Sequence, residues 1–303
     1  MNHDKQGRLS KVEEYVANLK TKIEDRNIQE YRLILGRIQS DLQKLMKQSL
    51  AKEIDKLRTV SRVALSKTPI ILSDSKANYL SNEIQRGFEL DIVWWSEAGA
   101  STRDQYNWLK DHLERELRQF GSVVLYVCLG TCDLTVKDTD SPFIRLKSND
   151  SSAARELINL FRDLYSFVRG FNSVNLVFLE IPPYSVYHWN KSHQRRHHIL
   201  TQSDLAGFKR DDFTLCGQIE TVNQFIRETN RILQKHSPRF ALDLQNSRRD
   251  RYIDYSHHPY RTVSTSRYTY RFGYLYRDGI HPCRVLARYW LLRICKFIAK
   301  DCA

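Results

Sequence analysis

The chain has 303 residues, a formal net charge of +13, 27% charged residues and 41% hydrophobic ones. That hydrophobic share, with 11% aromatics, excludes a disordered chain and suffices for one large domain plus an appendage. The excess of Lys and Arg points to polyanionic surroundings, nucleic acid or an acidic membrane face, and says nothing of fold.

The six cysteines, at positions 128, 132, 216, 283, 295 and 302, include no CxxC pair and no repeated spacing. Zinc needs clustered ligands, so the sequence predicts reduced thiols, no metal and no cofactor. The opening "MNHDKQGRLSKVEEY" has no apolar targeting core, and no apolar run reaches the length of a membrane span. The expectation is an intracellular protein of the cytoplasm or nucleus.

Residues 1–66 contain no proline and mix basic with acidic side chains throughout. Apolar residues recur at Leu9, Val12, Val16, Leu19 and Ile23, then at Ile28, Tyr31, Leu35, Ile38, Leu42 and Leu45, and again at Leu50, Ile54 and Leu57. Alternating steps of three and four define a coiled-coil seam, and the two five-residue steps are register breaks. The pattern predicts a helical, coiled-coil-like segment over 1–66 through which copies form a homo-oligomer. A helical hairpin folded onto its own domain fits the same spacing.

Pro69 closes the helical region. Beyond it, strands are predicted in "IILS", "DIVWWS", "SVVLYVCLG", "NLVFLEIPP" and, shorter, "RFALDL". Helices are predicted near Thr102–Phe120, Ser151–Val168 and Gln218–His236, with a last one after Pro282. Such interleaving reads as βαβ units on a parallel sheet covered on both faces, over residues 67–303. Chemistry then belongs at the carboxyl ends of the strands.

The first strand runs into Ser73-Asp74-Ser75. A serine at a strand-to-helix turn is presented at the sheet edge, with helix N–H groups beside it to hold an oxyanion. Helix capping by Ser or Asp is the alternative for the same stretch. The second strand leads to Gly99, which permits close backbone approach. The third ends in "LGTCDLT", with Gly130, Cys132 and Asp133, and the fourth in the rigid "EIPPY". Far downstream, "RDGIHP" places Asp278 three residues before His281, ahead of an apolar helix. A plain helix start, with Pro282 in its first turn, fits that stretch taken alone.

In this order the four blocks resemble those of the SGNH (GDSL-type) hydrolases: a GDS-like serine turn, a glycine after the second strand, a GxND turn, and a DxxH. The resemblance spans residues 67–303 through Ser75, Gly99, Gly130 with Asp133, and Asp278 with His281. It implies a three-layer α/β/α domain with a central parallel sheet. It also implies a serine esterase in which Ser75 attacks an ester carbonyl, His281 takes and returns the proton, and Asp278 orients the imidazole. The backbone N–H groups of Ser75 and Gly99 would bind the oxyanion. The sequence departs from the family twice. Ser73 replaces the GDS glycine, and Cys132 stands where the GxND asparagine would supply the third oxyanion donor. A thiol donates weakly, and one lost donor typically costs about 10²–10³ in rate.

Between Asn246 and Gly279, arginines alternate with aromatic residues. Arginines neutralise phosphates and aromatic faces stack on unpaired bases. The candidate contacts for single-stranded RNA or DNA are Arg248, Arg249, Arg251, Tyr252, Arg267, Tyr268, Tyr270 and Arg271. Tyrosines packed on the domain with solvated arginines are the alternative. "KSHQRRHH", Lys191–His198, is a second basic cluster and reads as a loop rather than a metal site. A coiled-coil segment joined to a basic SGNH domain also resembles the esterase-type first open-reading-frame proteins of some LINE retrotransposons. That resemblance implies self-association and nucleic-acid binding. The esterase therefore competes with a non-catalytic SGNH-fold protein that self-associates and binds single-stranded nucleic acid.

Overall fold

The computed structural model describes residues 29–30, 33–34, 36–37, 40–41, 44–45, 47–55, 63–139, 141–194, 200–254, 261–270 and 272–303. The chain divides into two compact units, Met1–Leu50 and Ala51–Ala303. In the first, every described residue is helical, and Leu33, Ile34 and Leu45 are exposed. The seam positions from Leu9 to Ile28, together with Tyr31, Leu35, Ile38, Leu42 and Leu57, lie outside the described residues.

The strands of the second unit are β1 (Thr68–Ser73), β2 (Val93–Ser96), β3 (Val123–Cys128), β4 (Thr135–Lys137), β5 (Ile144–Leu146), β6 (Val174–Phe178), β7 (Gln245–Asp254) and β8 (Arg261–Tyr270). Its helices are α1 (Lys76–Ser81), α2 (Thr102–Phe120), α3 (Thr131–Leu134), α4 (Ser152–Val168), α5 (Val186–Ser192), α6 (Gln202–Ile232), α7 (Phe240–Leu244), α8 (Phe272–Leu275) and α9 (Arg284–Asp301). Four strands form one parallel sheet in the order β2-β1-β3-β6. β4 with β5, and β7 with β8, are separate antiparallel pairs.

Sequence period explains the layers. β3 is buried along its whole length, as a strand covered on both faces must be. Alternate side chains point to opposite faces. Ile70, Leu72, Val123, Leu125, Val127, Leu176 and Phe178 share one core with Leu109 and Leu113 of α2, Leu157, Phe161 and Leu164 of α4, and Leu215, Ile219 and Val222 of α6. Their neighbours Ile71, Val124, Tyr126 and Val177 are equally buried, and the Tyr126 hydroxyl donates to Asp301 of α9 at 3.2 Å. Helices therefore cover both faces, giving the three-layer α/β/α arrangement around a parallel sheet.

Local signals place the ends of the helices. Ser101 and Asp104 form a reciprocal capping box on α2, and Gly121, with φ +68°, ends it. A second box, Thr201 with Asp204, starts α6. That helix begins sixteen residues ahead of the start predicted near Gln218. The predicted strand "RFALDL" is helix α7 instead. A strand would align Phe240, Leu242 and Leu244 on one face. The helical period buries Phe240 and Leu244 and turns Leu242 to solvent, while Asp243 accepts from the Trp290 indole N–H at 3.1 Å.

α6 also ties down the carboxyl end of the β6 edge. Asn230 exchanges hydrogen bonds with the backbone N–H and carbonyl of Phe178, at 3.0 and 2.7 Å. Asn223 does the same for Ile181, at 2.7 and 2.9 Å. Two helical asparagines, two turns apart, thus take the edge-facing backbone groups at the end of β6 and in the segment after it.

The topology fixes where a site can form. From β1 the chain steps to β2 on one side, while β3 and then β6 lie on the other. The crevice at such a switch point opens beyond the carboxyl ends of β1 and β3.

Candidate active site

The turn after β1 is tied down on every side. Ser73 donates its hydroxyl to the Cys128 carbonyl at 3.0 Å, joining β1 to β3. Asp74 is buried, and its Oδ1 accepts the Lys76 N–H at 2.9 Å. Asp74 therefore takes the free N–H at the start of α1. Ser75 occupies the N-cap position but makes no capping bond. Its hydroxyl lies 3.0 Å from Nε2 of His281, 206 residues away. The capping role belongs to Asp74, and the Ser75 side chain is left for His281.

On the other side, Asp278 shapes its own loop. Its Oδ1 accepts the N–H groups of Ile280 and His281 at 2.9 and 2.8 Å, and its Oδ2 lies 2.7 Å from Nδ1 of His281. Burial works to raise the Asp278 carboxyl, but the His281 side chain and these two N–H groups hold it below the usual carboxylate range. An ionised carboxylate only accepts, so Nδ1 carries the proton and Nε2 of the neutral ring is free to accept from Ser75. The Asp-x-x-His spacing is what lets one carboxylate hold both the loop backbone and the ring.

Gly279 completes the loop. Its φ is +98°, and a Cβ there would stand 2.6 Å from His188 Cβ and 2.8 Å from the Trp189 backbone nitrogen. Only glycine admits α5 so close. The Ser185 N–H donates to the Gly279 carbonyl at 3.0 Å. α9 begins at Arg284, with Cys283 as its N-cap, so Pro282 lies before the helix rather than in its first turn.

The oxyanion side is built differently. Gly99, with φ +82°, lies in the turn after β2, and the Glu97 N–H in that turn donates to the Ser73 carbonyl at 3.4 Å. The turn thus adjoins the serine segment. Gly130, with φ +118°, begins the turn after β3, where a side chain would collide with Ile181. Cys132 follows in α3, half-buried, and burial followed by the nearby Asp74 charge pushes its thiol up to about 11. At neutral pH it is a protonated thiol. Asp133 is buried and accepts from the N–H and hydroxyl of Thr102 at 3.0 and 2.8 Å, anchoring the first residue of α2.

Lys76 joins the two turns. It is buried, with Nζ 3.2 Å from Asp74 Oδ2 and hydrogen-bonded to the Thr131 hydroxyl. The Tyr184 hydroxyl donates to the Thr131 carbonyl at 2.9 Å. A buried ammonium is tolerable only with such a partner. Tyr79, four residues after Ser75, stacks on the His281 ring at 4.6 Å and 24°. Trp189 of α5 leans on the same ring at 5.8 Å. Sequence reading missed all three. Tyr79 carried a signal, because positions i and i+4 of a helix share a face. Trp189 carried none.

The structure brings Ser75, His281 and Asp278 together. Of the basic-aromatic stretch, Arg277 and Gly279 lie in the acid–base loop, and the candidate nucleic-acid contacts from Arg248 to Tyr270 lie on the β7–β8 pair. There Arg248 pairs with Arg267, and Arg249, Arg251, Tyr252 and Tyr268 pair with Ser266, Ser264, Val263 and Ser247. Tyr270 is half-buried, its ring 6.0 Å from Phe272. Arg271 lies outside the described residues. Of the "KSHQRRHH" cluster, Lys191 and Ser192 end α5 instead of lying in a loop, and residues 195–198 lie outside the described residues. Among the described residues no His, Cys, Asp or Glu group forms a metal-holding cluster. No described helix is long and apolar enough to cross a membrane.

No family model and no curated protein matches the chain. Among solved structures it is similar to a GDSL-like lipase from Bacteroides thetaiotaomicron VPI-5482, with 9% identity, 84% of this chain and 98% of that one covered, and a TM-score of 0.47. A lipase/acylhydrolase from Enterococcus faecalis matches with 10% identity over 78% and 97%, TM-score 0.42. An acetyl xylan esterase matches with 10% identity over 75% and 96%, TM-score 0.44. Likeness at that level says nothing of catalysis, which must be argued from the side chains.

Proposed function

We propose that residues 67–303 are an SGNH-type serine esterase domain that hydrolyses an acyl or acetyl ester, with a weakened oxyanion hole. The observation that carries this reading is the unbroken chain of hydrogen bonds from Ser75 through His281 to Asp278. Ser75 Oγ attacks the ester carbonyl carbon while its proton passes to His281 Nε2. The imidazolium, held by Asp278, then gives that proton to the departing alkoxide as the carbonyl re-forms, leaving an acyl-serine and a free alcohol. Water attacks the acyl-serine with His281 as base, the acid leaves, and Ser75 recovers its proton. Through both tetrahedral states the Ser75 and Gly99 N–H groups would hold the oxyanion, with only a thiol at Cys132 as third donor.

Hydrolysis of p-nitrophenyl acetate by the wild-type chain and by Ser75→Ala tests the reading. The variant should lose most of the activity, a fall of about 10³-fold or more in a full-strength triad, with a residual rate from binding and the oxyanion donors. Equal rates in the two overturn the assignment.

A second reading is favoured by Cys132 and the β7–β8 hairpin: a non-catalytic protein of this fold, oligomeric through residues 1–66, that binds single-stranded RNA or DNA as the retrotransposon resemblance implies. A basic ribbon on phosphates should lose affinity steeply with salt. Oligonucleotide binding at low salt by both wild type and Ser75→Ala, with no ester cleavage by either, would establish it.

A further inference from the structure

His281 Nε2 hands its proton to the leaving alkoxide, so the alcohol half of an ester extends from Ser75 across the imidazole. What surrounds the imidazole is aromatic and basic. Tyr79 and Trp189 contact the ring, and the Arg277 guanidinium lies 5.6 Å from the Tyr79 ring centroid. α5, which carries Trp189 and Lys191, is fastened to the acid–base loop at both ends. The Ser185 N–H donates to the Gly279 carbonyl, and the Ser192 hydroxyl to the Asp278 carbonyl at 3.4 Å. Lys191, and Lys209 from α6, place their ammonium groups 5.7 and 5.1 Å from the centroid of the Tyr187 ring on the same helix.

Arg277, Lys191 and Lys209 are exposed, and none has a carboxylate in ion-pair reach among the described residues. Resting on aromatic rings, they are oriented without being neutralised. The nearby carboxylates are engaged. Asp278 holds His281, and Asp212 accepts from the Ser185 hydroxyl at 2.6 Å and the Tyr187 N–H at 3.3 Å. The opposite side of the site has the reverse character. A cavity of about 330 Å³ beside Cys132 is lined by Arg103 and Lys147, but also by Asp133, Glu156 and Asp163, and Lys147 pairs with Glu156 at 2.9 Å. Exposed cations without an ion pair among the described residues therefore stand on the acid–base loop beside the Tyr79 ring and on α5 and α6 around Tyr187.

We infer that this leaving-group side is an anion subsite that takes an alcohol bearing a phosphate group. The inference rests on the esterase reading for the direction in which the alcohol lies. Arg277 offers a planar fork of N–H donors that matches phosphate oxygens, and the lysines add point charges. The ring faces of Tyr79 and Trp189 are placed to cover the part of the alcohol next to the ester oxygen.

Binding and turnover separate the two readings. In calorimetry, phenyl phosphate should bind the Ser75→Ala chain and phenol should not. The Arg277→Gln, Lys191→Gln double substitution should weaken phenyl phosphate by about tenfold or more, and raising salt to about 0.5 M should weaken it likewise. Absence of phenyl phosphate binding, or affinity unmoved by the double substitution, overturns the subsite. In turnover, the kcat/KM ratio of p-phosphonooxyphenyl acetate to p-methoxyphenyl acetate should exceed one and fall in the double variant. p-Methoxyphenyl hemisuccinate, charged on the acyl half, should show no such advantage, and an equal advantage overturns the leaving-group placement. Phenyl phosphate binding without cleavage of any ester would leave the anion subsite standing and remove the esterase. Competition by glycerol phosphate or by adenosine monophosphate distinguishes a lipid-type from a nucleotide-type alcohol.

Discussion

On the acid–base side of Ser75, Asp278 accepts three N–H groups, and the two His281 nitrogens are divided between Asp278 and the serine. On the oxyanion side, Cys132 presents a protonated thiol where the resembling family has an amide, and the neighbouring Asp133 is spent on anchoring α2. One half of the site has all the parts for moving a proton. The other lacks a strong third donor for the negative charge that proton movement creates. Geometry of a relay and stabilisation of a transition state are separate properties, and on the esterase reading the second should limit the rate.

The largest expected effect tests the complete half. In Asp278→Asn the amide can offer an N–H to Nδ1, which would leave the imidazole proton on Nε2 and Ser75 without a base. kcat for p-nitrophenyl acetate should drop by about 10³–10⁴ at neutral pH. A loss under tenfold would mean that the relay is not used. Gly279→Ala attacks the same half through its backbone. The added Cβ meets His188 and the Trp189 nitrogen, and φ +98° is strained for alanine, so thermal or denaturant unfolding should show a loss of about 2–4 kcal/mol. An unchanged midpoint would mean that α5 does not press on the loop.

The weaker half is tested by repair. Cys132→Asn supplies an amide donor, and kcat should rise by about ten- to hundredfold, less than the full 10²–10³ of one such donor because the thiol already donates weakly. The gain should appear in kcat rather than KM, because the oxyanion forms only after attack and is absent from the bound ester. If the rate is unchanged, the Cys132 position does not face the oxyanion and the contrast between the halves dissolves.

How much of this was legible beforehand depended on whether the signal was local. β3 could be read because burial on both faces makes a continuous apolar run. The Asp278–His281 loop could be read because one aspartate organises backbone and ring within three residues. That Ser75 meets His281 across 206 positions came only from the order of blocks in a resembling family, not from spacing. "RFALDL" misled because so short a stretch fits either period, and the deciding partner, Trp290, lies on α9. The contact of Trp189 with His281 was invisible because it depends on how closely α5 docks against Gly279. Whether Ser or Asp caps α1 stayed open because both are favoured there, and the deciding bond, from the Lys76 N–H to Asp74, depends on the turn's conformation.

The subtlest readout lies beneath the acid–base half, at Asp212, which supports α5 through Ser185 and Tyr187. Burial raises its carboxyl to about 6, outweighing the hydrogen bonds from Ser185 and Tyr187 that lower it. A folded-state value above the unfolded one means that the folded chain holds the proton more tightly. Its contribution to stability is therefore greatest below about pH 4, declines as pH rises towards about 6, and is level beyond, a change of at most about 3 kcal/mol. Asp278, held low, slopes the other way, so the total stability curve does not isolate either group. The difference does. The melting temperature of Asp212→Asn minus that of wild type should climb between about pH 4 and 6 and then flatten. A flat difference across that window would show that the carboxyl is solvated, and that α5 is held against the catalytic loop by Gly279 and the ring contacts alone.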